Sequence, residues 1–309
     1  MRNIYEVQKS NKIKSAVVVA LFVVFVALAT YVLAKAMSIY FGYEPGQLGF
    51  VGVALIVSGI SSFVGYYFSD QIVLGISGAR PADRKKDFLF YTVAENLSIG
   101  VGIPVPKLYV IADSAPNAFA TGRDPVHAAV CATSGLLEKL NRTELEGVVA
   151  HEITHVRNYD TRLMSVVSVM VGLIALLGDW LLRATWFGGR RNNNDRDSGS
   201  SIFLVLGIIF AILSPIIGQL IQLAISRRRE FFADAGSVEL TRQPSGLISA
   251  LTKISADSEP LEVANKATAH LYICSPFKAK GRGSASWFAN LFNTHPPIAE
   301  RIKILKGMA

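Results

Sequence analysis

The sequence predicts an α+β membrane protein that is mostly helical, with a small β-sheet and about four transmembrane or membrane-inserted helices. Hydrophobic residues make up 51% of the 309-residue chain and charged residues only 17%, below the roughly 25% that is typical of soluble domains. Long apolar runs without charged residues carry this excess. Short β-rich runs beside Gly- and Pro-marked turns predict the sheet.

Four apolar runs predict the membrane segments. Residues 15–34 and 48–69 contain no charged residue, and about 20 helical residues span a bilayer core, so we expect a transmembrane hairpin. Residues 163–178 and 201–225 form a second pair. This pair either spans the membrane or only dips into it as a helical hairpin, because the third run is short before Asp179 interrupts it.

Basic residues predict the orientation of the chain. The positive-inside rule places the N-terminus and the region after residue 70 in the cytoplasm, because both ends of the first hairpin carry clustered basic residues: Arg2, Lys9, Lys12, Lys14, Arg80, Arg84, Lys85 and Lys86. The loop between the third and fourth runs opposes this rule through Arg190, Arg191 and Arg196.

The apolar runs divide the chain into four parts. Residues 1–70 are the N-terminal transmembrane hairpin, and residues 163–225 are the second membrane hairpin. Residues 71–162 and 226–309 are then two parts of one cytoplasmic domain. The net charge of +8 does not indicate a nucleic-acid partner, because the basic residues flank apolar runs and no nucleic-acid-binding motif accompanies them.

The first cytoplasmic part predicts helix, then sheet, then helix. The segment up to Ile99 is predicted as helical, and the β-rich runs at 107–112 and 127–133 are predicted as strands. Asn141 with Glu144 three residues later is a capping-box arrangement that begins the next helix.

The segment HEITH at residues 151–155 carries the chemistry. Residues four apart share one face of a helix, so the imidazoles of His151 and His155 can bind one tetrahedral zinc ion. Glu152 lies beside the open metal position, where a general base acts. The alternative is a chance match, since roughly one random chain of this length in a hundred contains the pattern.

A third ligand has to come from elsewhere, because catalytic zinc takes three protein ligands and a water. Glu230 is the candidate, and Asp234, four residues later, can accept a hydrogen bond from a ligand histidine and fix its tautomer. Taken alone, Glu230 would be interpreted as a solvated helix charge beside three arginines, but the HEITH segment upstream favours the ligand. His295 can donate to a developing oxyanion with Arg301 reinforcing it, or is an ordinary loop histidine.

These residues give the sequence a resemblance to the HtpX-type membrane metallopeptidases, which are related to the CAAX prenyl endopeptidases. The matching segments are GIPVPKLYVI, NAFATG, HEITH, SRRREFFADA and THPPIAERI, in that order. With the two apolar pairs they cover nearly the whole chain. The resemblance implies a mostly helical zincin-like (gluzincin) catalytic domain with one Zn²⁺ per subunit.

The resemblance also assigns residues to roles. It implies His151, His155 and Glu230 as the zinc ligands, Glu152 as the catalytic base and Asp234 as a support behind a ligand.

The resemblance further implies an edge strand beside the cleft. Asn117, Ala118 and Phe119 would bind the substrate backbone there by strand addition. His295 and Arg301 would lie near the reacting carbonyl.

The function that the resemblance implies is hydrolysis of misfolded or damaged membrane proteins, as protein quality control in a stress response. The enzyme would be a multi-pass protein of the bacterial inner membrane with its active site on the cytoplasmic side. Its partners would be protein or peptide substrates, the lipid bilayer and other membrane proteases of quality control. One alternative is a CAAX-type endopeptidase, although four membrane helices are too few for a large helical chamber. Another is a non-catalytic scaffold with a structural zinc site, which would need no base such as Glu152.

Overall fold

The computed structural model describes residues 4–41, 47–173, 227–263, 268–276 and 296–308. These residues form a mostly helical protein with one small mixed sheet, which confirms the general fold class that the sequence predicts.

The first two apolar runs form long helices. Helix α1 covers Ile4–Phe41 and helix α2 covers Gln47–Tyr67. Among the described residues, one stretch is long and apolar enough to cross a membrane, Glu6–Leu28 within α1, and the apolar stretch Leu55–Tyr67 of α2 is shorter. A set of four membrane-crossing helices therefore stays a prediction.

The short helix α3 (Ser69–Ile76) is followed by a four-stranded sheet. Helix α4 (Phe88–Val101) separates the first strand of the sheet from the other three in sequence. Its strands are β1 (Arg80–Pro81), β2 (Lys107–Ile111), β3 (Ala118–Thr121) and β4 (Ala129–Thr133). The order is β1-β2-β4-β3, with β2 parallel to β4 and the outer strands antiparallel to their neighbours.

This sheet confirms the two strands predicted around 107–112 and 127–133. It corrects the prediction of continuous helix up to Ile99, because β1 and a turn interrupt that segment. Pro81 cannot donate a hydrogen bond to a sheet, and proline is accordingly confined to edge strands such as β1.

Three helices then lead through the HEITH segment: α5 (Ser134–Lys139), α6 (Arg142–Arg157) and α7 (residues 160–173). The predicted capping box begins α6. The Asn141 side chain accepts the N–H of Glu144 at 3.0 Å, and the Glu144 carboxylate accepts the N–H of Asn141 at 2.9 Å. Residues 163–173 of the third apolar run are thus helical. The end of that run, Asp179, the loop arginines and the fourth run lie outside the described residues.

The last described helices are α8 (Arg227–Thr241), α9 (Pro244–Ala256) and α10 (Ile298–Lys306). Helix α8 packs closely against α6, because Gly236 has no side chain and a Cβ there would collide with Thr154. This approach brings the first turn of α8 against the HEITH segment.

The described residues form three buried apolar clusters, and two of them fix the helices near the HEITH segment. One surrounds the sheet, α4, α6 and α9. The other joins α1 to α7 through Val18 and Phe22 on α1 and Leu163 and Met170 on α7. The N-terminal helix is therefore packed onto the helix that directly follows α6.

Candidate metal centre

Two histidines of α6 and one glutamate of α8 converge at a buried point. His151 Nε2 lies 3.2 Å from His155 Nε2. Glu230 Oε2 lies 3.7 Å from His151 Nε2, and Glu230 Oε1 lies 3.6 Å from His155 Nε2. Among the described residues, these three form a set that could hold a metal ion, with ligand atoms within 4.8 Å of one another.

Each histidine is held from behind by a carboxylate. His151 Nδ1 lies 2.9 Å from Asp234 Oδ1, and His155 Nδ1 lies 3.1 Å from Asp160 Oδ2. A carboxylate accepts a hydrogen bond, so Nδ1 carries a proton in each ring and Nε2 is the atom that faces the convergence point. Both rings are thereby oriented as metal ligands.

The separations fit a tetrahedral divalent metal. Zinc–nitrogen bonds of about 2.0–2.1 Å at tetrahedral angles place ligand atoms about 3.3 Å apart, and the observed separations run from 3.2 to 3.7 Å. Once both Nε2 atoms are unprotonated, as metal binding requires, two nitrogen lone pairs and a carboxylate at these distances repel one another, and a dication between them would offset that repulsion. The donor set of His151, His155 and Glu230 therefore suits a metal ion.

Arg301 lies behind the ligands. This side chain is fully buried, and it donates from Nε to Asp234 Oδ2 at 2.9 Å and from Nη2 to Asp234 Oδ1 at 2.6 Å. Its Nη1 donates to the carbonyl of Ile273 at 2.9 Å. The guanidinium is thus engaged with the carboxylate that orients His151, which favours a positioning role over the direct oxyanion contact that we predicted.

Glu152 is buried beside the ligands, and its carboxylate accepts the backbone N–H of Ala120 on β3. Burial raises the pKa of Glu152 to about 7, and the nearby charge of Glu230 acts in the same direction. A general base works best when its pKa lies near the operating pH. The environment of Glu152 therefore suits the role of a base.

The two histidine ligands and Asp234 have shifted pKa values. Burial lowers the pKa of His151 to about 4. Burial also opposes protonation of His155, but the Asp160 hydrogen bond and the Glu230 charge outweigh it and raise the pKa of His155 to about 9. Burial alone would raise the pKa of Asp234, yet the guanidinium beside it and His151 hold that pKa below its ordinary value. His155 therefore has to release a proton when a metal binds.

The edge strand β3 lies beside Glu152, and its first residues are bound to the chain itself. The buried Asn117 amide donates from Nδ2 to the carbonyl of Cys274 at 3.0 Å. The carbonyl of Ala118 accepts the N–H of Ile273 at 2.9 Å. Residues 273 and 274 thus occupy the outer side of β3 at this point.

Phe119 differs from its two neighbours. Its ring is fully buried, with its centroid 5.1 Å from that of Tyr272. The Asn117 carbonyl accepts the N–H of Thr133. In an antiparallel ladder every second residue turns its backbone groups toward the same partner strand, so those of Phe119 also face β4. The backbone groups of Phe119 therefore face away from the open edge, whereas the carbonyl of Ala118 faces it. The predicted contact of Phe119 with substrate stays a prediction.

The sequence did not reveal two residues of this centre, and one predicted residue lies outside the part of the chain that the structure describes. Asp160 is recognisable only as a carboxylate shortly after the HEITH helix, and Asn11 lies 149 residues away from it in sequence. Asn11 carried no sequence signal apart from being polar at the edge of an apolar run. His295 lies outside the described residues, so its predicted role is unchanged.

Comparison with known proteins decides the family. The sequence profile of peptidase family M48 matches residues 90–309. The chain belongs to peptidase family M48. This M48 protease is 43% identical over 309 residues to the "Protease HtpX homolog" of Thermoanaerobacter pseudethanolicus, covering 99% of this chain and 98% of the relative. It is also 43% identical over 304 residues to the "Protease HtpX homolog" of Dictyoglomus turgidum, covering 98% and 94% of the two chains.

Among solved structures, this M48 protease is similar to S. mikatae Ste24p in its crystal structure. The TM-score is 0.46 at 19% identity, and the match covers 97% of this chain and 67% of that chain. The family and the HtpX relatives confirm the predicted resemblance and the predicted membrane metalloprotease.

Proposed function

We propose that this M48 protease is a zinc-dependent endopeptidase that cleaves misfolded or damaged membrane proteins, as part of protein quality control and the stress response. One zinc ion per subunit would be held by His151, His155 and Glu230. The observation that carries the proposal is the buried convergence of these three ligands beside Glu152. Burial raises the pKa of Glu152 to about 7.

The mechanism is direct hydrolysis. When bound, a zinc ion acts as a Lewis acid that makes water a nucleophile near neutral pH and polarises the peptide carbonyl. Glu152 takes the proton of the attacking water and then passes it to the leaving amine, and a pKa near 7 allows both transfers. Asp234 and Asp160 keep the two imidazoles in the tautomer and orientation that metal binding needs. His295 is proposed to donate a hydrogen bond to the oxyanion.

Substrate binding is proposed to use the edge strand β3. An extended peptide adds to an exposed sheet edge through backbone hydrogen bonds, and β3 is the edge strand next to Glu152. Because Ala118 accepts the N–H of Ile273, a substrate amide has to replace that donor or pair further along the strand. Asn117 would then contact substrate only after releasing Cys274.

The proposed location is the inner membrane of a bacterium, with several membrane passes. The outer faces of α1 and α2 support it, since they expose large apolar side chains that lipid would cover: Val17, Leu21, Leu28, Ile56 and Ile60. We propose the division that the sequence predicts, with membrane hairpins at 1–70 and 163–225 and the two parts of the metallopeptidase domain at 71–162 and 226–309. The basic flanks of the first hairpin support a cytoplasmic active site, where other quality-control proteases would be partners.

Two alternatives are less well supported. A CAAX-type endopeptidase with a large helical chamber needs more membrane helices than the four apolar runs of this chain supply. A scaffold with a structural zinc site would normally complete a closed four-ligand site. Three converging ligands with a buried Glu152 beside them favour catalysis instead.

The test compares two glutamates of α6. We expect Glu152→Gln to bind about one zinc per chain yet to lose casein hydrolysis and self-cleavage by roughly 100-fold or more, since general-base catalysis contributes about 10²–10⁴-fold. Glu146→Gln is the matched control, because Glu146 is a partly exposed residue of the same helix paired with Arg142 at 2.9 Å. Full activity of purified Glu152→Gln in detergent would contradict the proposal.

A further inference from the structure

The C-terminal end of the metal-binding helix α6 is capped by side chains of the N-terminal helix α1. Gln8 Nε2 donates to the carbonyl of Arg157 at 2.9 Å, and Asn11 Nδ2 donates to the carbonyl of Asn158 at 2.9 Å. The last carbonyls of a helix have no partner within the helix. Helix α1 therefore supplies two of the donors that the end of α6 needs.

Asn11 makes a second contact that reaches the metal ligands. Its Nδ2 also donates to Asp160 Oδ1 at 2.8 Å, and the other oxygen of Asp160 lies 3.1 Å from His155 Nδ1. All three side chains are buried. A continuous chain of hydrogen bonds thus runs from α1 through Asp160 to a ligand of the metal.

The turn between α6 and α7 depends on such outside contacts. Tyr159 has a φ of 60°, a left-handed conformation that is unfavourable for residues other than glycine. The Lys12 ammonium lies 4.2 Å from the centre of the Tyr159 ring. Helix α1 therefore holds this turn through Asn11 and Lys12, and Asp160 is the first residue after it.

Simple packing does not account for Asn11. The buried stripe of α1 that faces α7 continues with apolar residues, Val18, Phe22 and Val26, and an apolar residue would extend it without the cost of burying an amide. The two N–H groups of the Asn11 amide have two acceptors, the Asn158 carbonyl and Asp160. The amide is thus matched to the turn rather than to the apolar stripe.

We propose that Asn11 is a positioning residue of the metal centre. It orients the Asp160 carboxylate, and Asp160 in turn fixes the ring of His155 for metal binding. The packing of the N-terminal helix is thereby coupled to metal affinity, so α1 is part of the active site and not only a membrane anchor. This inference rests on the proposed function, in which His151, His155 and Glu230 hold zinc.

The experiment measures the zinc dissociation constant of the purified full chain in detergent, by competition with a chromophoric chelator. Groups that orient metal ligands typically change metal affinity 10–100-fold; Asn11 acts one residue further out, so we expect Asn11→Ala to weaken zinc binding roughly 3–30-fold. Asn11→Asp keeps the shape but sets a carboxylate against Asp160, and it should weaken binding at least as much. Ser15→Ala is the matched control with less than about a twofold effect, because the buried Ser15 hydroxyl donates to the Asn11 carbonyl within α1 and lies outside the Asn11–Asp160–His155 chain.

A double-mutant cycle separates positioning from general stability. If Asn11 acts through Asp160, Asn11→Ala should add less than about a twofold effect in an Asp160→Asn background. The melting temperature of each metal-free variant reports folding independently of zinc. The inference is overturned if the effects of Asn11→Ala and Asp160→Asn on the zinc dissociation constant multiply in the double variant. It is also overturned if Asn11→Ala leaves the dissociation constant unchanged. Either result leaves the proposed function intact. If the His155→Ala variant binds zinc with wild-type affinity, the proposed function is overturned, and the inference with it.

Discussion

Arg301 offers the sharpest distinction between positioning and direct catalysis. Its guanidinium is fully buried and binds both oxygens of Asp234, at 2.9 and 2.6 Å. Arg301→Met keeps the length of the side chain but removes its charge and its donors. The variant leaves Asp234 as a buried carboxylate whose remaining described partner is His151.

The expected cost follows from that unpaired charge. Breaking one partner of a buried ion pair destabilises a protein by about 3–5 kcal/mol. For a chain with a folded part of this size, each kcal/mol lowers the melting temperature by roughly 2–4 °C, so we expect a fall of about 6–20 °C. Loss of the guanidinium also raises the pKa of Asp234, which weakens its hold on His151 and therefore zinc binding.

The assay follows thermal unfolding, zinc affinity and peptide hydrolysis in the same detergent. Arg142→Met is the matched control, because Arg142 forms an exposed pair with Glu146 and such pairs contribute about 0–1 kcal/mol. Arg301→Lys keeps the charge without the two-point contact and should fall between wild type and Arg301→Met. If Arg301→Met retains its melting temperature and zinc affinity and loses only the rate of hydrolysis, the positioning argument is refuted and a direct oxyanion role is supported.

Two further predictions concern how α6 is held. Burial alone would raise the pKa of Glu144, but hydrogen bonds from Lys253, Ser249 and the Asn141 N–H outweigh it, so that pKa lies below its ordinary value. A lowered folded-state pKa contributes stability above the unfolded pKa of about 4.3 and loses it as the pH falls through the folded value. Glu144→Gln should therefore lower the free energy of unfolding by about 1–2 kcal/mol at pH 7, with the difference from wild type shrinking below about pH 4; a difference that stays constant with pH contradicts this. Gly236→Ala should lower the free energy of unfolding by about 1–3 kcal/mol, because its Cβ overpacks against Thr154, and it should weaken zinc binding by displacing α8. Adding Thr154→Ser removes the methyl group of Thr154 and should restore part of the stability and part of the zinc affinity. Thermal unfolding and chelator titrations measure the two effects.

The parts of the structure that local signals determine were predictable from the sequence. The capping box at Asn141 and Glu144, the strands β2 and β4 and the helical apolar runs each depend on residues a few positions apart. The pairing of Glu230 with Asp234 was also a local inference, since residues four apart share a helix face. The structure places both on the side of α8 that meets the HEITH segment.

The remainder depends on long-range docking, which spacing in sequence does not reveal. Asp160 reaches His155 because a left-handed residue turns the chain between α6 and α7. Arg301 lies behind Asp234 because α10 packs against α8 and α9. Asn11 meets Asp160 only after α1 has packed along α7. The two-residue strand β1 is too short to produce an alternating pattern.

The central claim is that His151, His155 and Glu230 bind one zinc ion as its protein ligands. Zinc K-edge absorption spectroscopy of the purified chain, combined with metal analysis, tests it most directly. The expected result is about one zinc per chain with nitrogen and oxygen ligands at about 2.0–2.1 Å, and a weaker site in Glu230→Gln. A sulfur ligand at about 2.3 Å, which Cys131 or Cys274 would have to supply, or zinc content unchanged by His151→Ala, would contradict the account.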